Sequence, residues 1–140
     1  MKTTRQTAAS APALSLHQRM QAREIERHTA RLAVIKRMQA RLALLDAFMP
    51  AIEQAGISLG LDELTAWGGK SLWLSAGLLD HAAAARLVNV LAANGMEVDE
   101  RKDYDGAAGG CCVRLKKGRL LVSVSVDRRS VHLLEVLACA

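Results

Sequence analysis

The chain has 140 residues, a formal net charge of +5 and 51% hydrophobic residues, enough for one compact core and an extension. An aromatic content of 3% argues against a base-stacking surface or an aromatic ligand cage. No apolar run approaches the roughly 18 to 20 residues that span a bilayer, so a membrane role is not expected.

Residues 1–14 are rich in Thr, Ala and Ser and carry Lys2 and Arg5 without an apolar stretch. They are expected to be a flexible basic tail and not a secretory signal. Residues 15–49 carry the strongest periodic pattern. At about 100° per residue, Ile25, His28, Leu32, Ile35, Met38, Leu42, Leu45 and Met49 sweep one broad face. Arg19, Arg23, Arg37 and Arg41 gather on an adjacent arc, and Arg27 and Arg31 continue that arc toward the apolar face. Such a helix would be about 50 Å long, more than a globule of this size needs to cover its own core. A second copy of the helix is the simplest cover. The spacing is coiled-coil-like, although Gln39 or Asp46 enters a strict heptad drawn from Ile25. Ile25, His28, Leu32, Ile35, Met38, Leu42 and Leu45 are therefore the candidate dimer interface. The alternative is a helix that bends and folds back on its own domain.

Pro50 disfavours helical geometry at Met49 and can open a new short helix. Residues 51–55 fit that helix, with Gly56 as its left-handed cap. Residues 61–67 look like a second short helix, stopped by Gly68-Gly69. Residues 50–69 are thus expected to be a helical connector, and a compact domain is expected over residues 70–140.

In that domain residues 71–76 read as a strand, with Leu72 and Leu74 opposite Trp73. Asp80 is a suitable N-cap for a helix over residues 81–94, whose buried stripe would be Ala84, Leu87, Val88 and Leu91. Asn94-Gly95 stops it. Residues 96–101 alternate as a half-exposed strand. The Gly-rich residues 105–110 predict a loop. Residues 111–116 and 120–126 predict a hairpin turning at or within a residue of Lys117-Gly118. Residues 131–138 suit a strand or a closing helix, and their β-branched content favours the strand. The sum is an α+β fold: a long N-terminal amphipathic helix and a small βαβββ domain with a mainly antiparallel sheet.

The charge is partitioned. Residues 1–45 hold nine basic and two acidic side chains, net +7; residues 46–100 hold two and eight, net −6; residues 101–140 hold eight and four, net +4. That pattern suits a polyanion partner or self-association. Arg19, Arg23, Arg27, Arg31, Arg37 and Arg41 are the candidate polyanion-binding residues, and their contacts would be salt-dependent and independent of sequence.

Catalytic signals are weak. Gly68-Gly69-Lys70-Ser71 resembles the end of a phosphate loop, but Leu64 stands where an earlier glycine is needed, and the order of strand and helix is reversed. Cys111, Cys112, His132 and Cys139 have metal-ligating atoms at the wrong spacing. They are better read as reduced thiols and a lone imidazole in a cytoplasmic protein. Asp80-His81 resembles an acid–base pair, yet Asp80 is committed to capping. A non-enzyme without cofactor or metal is expected. The favoured function is a protein-binding adaptor or inhibitor of a larger machine, of the kind phages and mobile elements encode, self-associating as a homodimer through the long helix. The alternative is a sequence-nonspecific nucleic-acid-binding accessory protein.

Overall fold

A computed structural model describes residues 12–67, 70–76, 80–106 and 109–135. The expected tail lies outside the described residues as far as residue 11. The chain divides into two compact units, Met1–Ala33 and Val34–Ala140. The fold is α+β.

Helix α1 spans Leu16–Leu45. It starts where it does because Ser15 and Gln18 form a reciprocal cap: Ser15 Oγ accepts from Gln18 N at 3.2 Å, and Gln18 Oε1 accepts from Ser15 N at 2.9 Å. In the first unit every described residue from 12 to 30 is exposed.

In the second unit the end of α1 turns inward. Met38 and Leu45 are buried there, and a 3-10 helix over Asp46–Phe48 and helix α2 over Met49–Gln54 extend the stripe with Phe48 and Ile52. Pro50 stands in the first turn of α2, where its missing N–H costs no helical hydrogen bond. Gly56, at φ +73°, ends α2: Gly56 N donates to Glu53 O and Ile57 N to Ile52 O. This reversal buries Ile57.

The five strands are β1 Thr65–Trp67, β2 Ser71–Leu74, β3 Glu97–Asp103, β4 Cys111–Lys117 and β5 Leu120–Val126. They form one sheet in the order β1-β2-β5-β4-β3. All neighbours are antiparallel except β2 and β5, which run parallel from Leu72 opposite Val122 to Leu74 opposite Val124. Helix α3, His81–Ala93, connects β2 to β3 and packs on β4 and β5. Asp80 caps it by accepting from Ala82 N at 3.0 Å. Its C-terminus repeats the reversal seen after α2, with Gly95 N donating to Ala92 O and Met96 N to Leu91 O.

One sheet face is the core. Leu72, Leu74, Cys111, Val113, Leu115, Leu120, Val122, Val124 and Val126 meet Leu87, Val88 and Leu91 of α3 there, together with Met38 and Ile52. Ala83 and Ala85 join that core, while Ala84, expected in the stripe, is only partly buried. The alternate residues give the sheet a second, polar face.

Several expectations change. Residues 61–63 are a turn and 65–67 a strand rather than a helix, because β1 gains antiparallel partners in β2, from Thr65 opposite Trp73 to Trp67 opposite Ser71. Gly68-Gly69 lies outside the described residues. Within residues 50–69, Ile52, Ile57 and Leu64 belong to the core. A bulge between Val98 and Glu100 breaks the expected alternation in β3. It inserts Asp99 and carries Glu100 to the side of Arg114. The hairpin does turn within a residue of Lys117-Gly118, at Gly118-Arg119, with Gly118 at φ +58°. Within residues 131–138, a 3-10 helix over Arg128–Leu133 replaces the expected strand, and residues 136–138 lie outside the described residues. Asn89 of α3 holds this segment, donating to Leu133 O and accepting from Glu135 N, both at 2.9 Å.

Candidate functional site

The predicted apolar stripe divides between two environments. Met38 and Leu45 are buried, Leu42 packs beside them, and all three are committed to the core of the second unit. Ile25, His28, Leu32 and Ile35 are exposed, with Ile25 at 67%, Leu32 at 52% and Ile35 at 38%. The division follows from helical geometry. Leu32 and Ile25 lie on an arc more than about 100° from that of Met38 and Leu45, so one straight helix cannot turn both sets to one core.

The arginines also separate. Arg19, Arg23 and Arg27 line a concavity of about 360 Å³ on the first unit together with Met20 and Glu24. Arg27 pairs with Glu24 at 3.0 Å, and Arg19 Nε donates to Leu14 O at 3.1 Å. Such exposed pairs contribute little to stability. Arg31 is partly buried and Arg37 is exposed. Arg41 belongs to the second unit, where its Nη1 is buried without an acceptor among the described residues.

The polar face of the sheet carries two concavities. The first, about 300 Å³, is lined by Ser71 and Trp73 of β2, Ser123 of β5, Cys112 and Arg114 of β4, Glu100 and Lys102 of β3, and Tyr104. Ser71 Oγ and Ser123 Oγ lie 3.0 Å apart and both residues are buried. Arg114 reaches Asp99 at 2.6 Å and Glu100 at 3.0 Å, a pairing that the bulge makes available. Lys102 Nζ sits 5.7 Å from the centre of the Tyr104 ring. The second, about 430 Å³, gathers Arg41, Lys70, Lys116 and Arg119 with Asp99, Gly118 and Leu121.

The thiols of Cys111 and Cys112 are not activated. Burial raises the Cys111 thiol above its ordinary pKa. Burial and then Glu100 raise Cys112, against the opposing pull of Arg114. A raised pKa keeps both thiols protonated near neutrality, the reverse of an activated nucleophile. Cys139 lies outside the described residues, and His132 is exposed on the 3-10 helix. Among the described residues no three His, Cys, Asp or Glu side chains converge as a metal site.

His81 Nδ1 does share a short hydrogen bond with Ser130 Oγ. Ser130 is completely buried, so it ties the 3-10 helix to α3 and has no access to a substrate. Asp127 caps the same segment by accepting from Arg129 N at 2.9 Å, and the Arg129 hydrogen bonds hold its carboxyl below the usual range. Asp80 is engaged by Ala82 N and by Arg86 at 2.8 Å, so the Asp80-His81 pair is occupied by structural bonds.

Sequence reasoning gave no role to Lys70, Lys116, Arg119 or Trp73 as a group. Lys116 and Trp73 carried one signal, alternation: Lys116 and Arg114, Leu121 and Ser123, and Ser71 and Trp73 are the non-core positions of their strands, whereas Lys70 and Arg119 lie in turns beside them. Among the described residues no helix is long and apolar enough to cross a membrane. No family model, curated protein or solved structure matches the chain.

Proposed function

We propose that this protein is a non-enzymatic, cytoplasmic protein-binding module, an adaptor or inhibitor of a larger machine of the phage or mobile-element type, that self-associates through its long helix. The observation that carries this reading is the exposure of Ile25, His28, Leu32 and Ile35 at successive spacings of three, four and three. That spacing is one seam of a two-stranded coiled coil. Residues 12–30 are exposed within their own unit. Most of the stability of a protein helix comes from covering its apolar face.

The test is light-scattering mass after size exclusion, for the parent chain and for Ile25→Asp/Leu32→Asp. The expected result is a dimer that becomes a monomer on substitution, with an unchanged circular dichroism signal from the second unit. A monomeric parent, or a variant of unchanged mass, overturns self-association through this seam.

A second reading is favoured by the row of Arg19, Arg23 and Arg27 about their shared concavity. It is sequence-independent nucleic-acid binding by the first unit. It predicts an affinity for duplex that falls steeply with salt and with Arg23→Glu. Indifference of the mass to a short duplex at low salt removes it.

A further inference from the structure

We propose that the polar face of the sheet is a binding site for a nucleotide unit, with the phosphate held at the hairpin end and the base set against Trp73. The site lies wholly in the second unit and does not rest on the helix reading.

The phosphate position rests on convergence. Arg41, Lys70 and the hairpin pair Lys116 and Arg119 come from three separate stretches of sequence to one concavity. Crowding four cations is unfavourable unless an anion or solvent screens them. The single acid among them, Asp99, is already held by Arg114 at 2.6 Å. Arg41 supplies an independent sign of a missing acceptor: its Nη1 is buried and makes no hydrogen bond among the described residues. A buried guanidinium N–H without a partner carries an unmet desolvation cost, and a phosphate oxygen is a suitable acceptor. Gly118 adds no side chain at the turn, and the space where a Cβ would project is open.

The base position rests on continuity. Lys70 precedes Ser71, Leu121 lies two residues before Ser123, and Lys116 two residues after Arg114, so the two concavities adjoin along three strands. Two residues along a strand cover about 7 Å. The floor between them is small, made of Ser71, Ser123 and Cys112, while the partly exposed Trp73 lines the far concavity. A flat, half-exposed indole beside a shallow polar floor suits stacking of a base. Stacking on a side chain requires an unstacked base, so the ligand is a free nucleotide or a single strand rather than a duplex.

The test uses the full chain, a fluorescent oligothymidylate read by anisotropy, and competition by ATP, tripolyphosphate and a duplex of equal length. The expected result is binding of the single strand or of ATP in preference to duplex. Lys70→Glu/Arg119→Glu should weaken it tenfold or more. Trp73→Ala should weaken it about tenfold and leave tripolyphosphate competition unchanged, while Trp73→Phe retains most of the affinity and controls for folding. Arg23→Glu/Arg27→Glu on the first unit should have no effect, which separates this site from the helix. Displacement by ATP at low concentration identifies a free nucleotide, and retention of the strand against ATP identifies a single strand. No binding of either overturns the proposal. Binding indifferent to Lys70→Glu/Arg119→Glu, or lost there but unaffected by Trp73→Ala, overturns it as well, since the surface would then be a plain anion patch or uninvolved.

Discussion

Leu87 and Leu32 are both leucines in the middle of α-helices, yet Leu87 is fully buried and Leu32 is 52% exposed. Leu87 sits on α3, whose apolar stripe faces a sheet with a matching apolar side. Leu32 sits in the first unit, where no described residue of that unit lies over it. The same residue type in the same local conformation thus supports the fold in one place and offers itself for association in the other. Periodicity specifies an apolar face, and only the surroundings specify what covers it.

That contrast can be broken by substitution. Leu87→Ala should cost about 2–5 kcal/mol, because it removes transfer free energy and leaves a cavity in a packed core. Leu32→Ala should cost under about 0.5 kcal/mol when measured on a monomeric background. Urea denaturation of both variants checks the pair, and equal losses would mean that the first unit packs as tightly as the second.

The next effect is confined to the sheet unit. Gly110 adopts φ +90°, and a Cβ there would lie 2.5 Å from Val126 O. Gly110→Ala should therefore lower stability by at least about 1–3 kcal/mol. Gly106, at φ +98° with open space around it, should tolerate alanine better, leaving only the backbone strain of a left-handed residue. Thermal midpoints of the two variants compare the close approach with the strain alone.

Asp80→Ala sharpens the contrast between the two helix starts. It removes the cap on Ala82 N and the Arg86 contact, with an expected loss of about 1 kcal/mol. Ser15→Ala removes a similar cap from α1. It should fray the first unit, seen as lost helical circular dichroism, with little change in the denaturation midpoint of the second.

The smallest effect is an alkaline one. The thiols of Cys111 and Cys112 have pKa values raised above the ordinary 9.0 by burial. A raised folded-state pKa contributes stability that is fully present below pH 9.0 and lost as pH climbs through the folded value. Stability should therefore decline above about pH 9, and Cys112→Ser should flatten part of that decline. A profile identical to the parent's would assign the decline to other groups.

Much of the fold was legible in the sequence. The Asp80 cap, the Asn94-Gly95 stop and the alternation of Leu120, Val122, Val124 and Val126 each depend on neighbours within a few residues. The errors share a cause. Residues 65–67 became a strand because β2 offered a ladder. Residues 131–133 left the sheet because Asn89, distant in sequence, satisfies their backbone, and because Ser130 is tied to His81. The scarcity of aromatics was correctly counted but gave no hint that Trp73 and Tyr104 would share one concavity.

By itself the sequence determined the α+β class, the long helix and the charge blocks, because these follow from local periodicity and composition. Tertiary structure alone decided that Met38, Leu42 and Leu45 serve the core while Ile25 and Leu32 stay exposed. It also decided that β2 runs parallel to β5 and that Arg41, Lys70, Lys116 and Arg119 meet at one end of the sheet. Those outcomes depend on which strands pair and in which register, and residues far apart in the chain become neighbours only when that pairing is made.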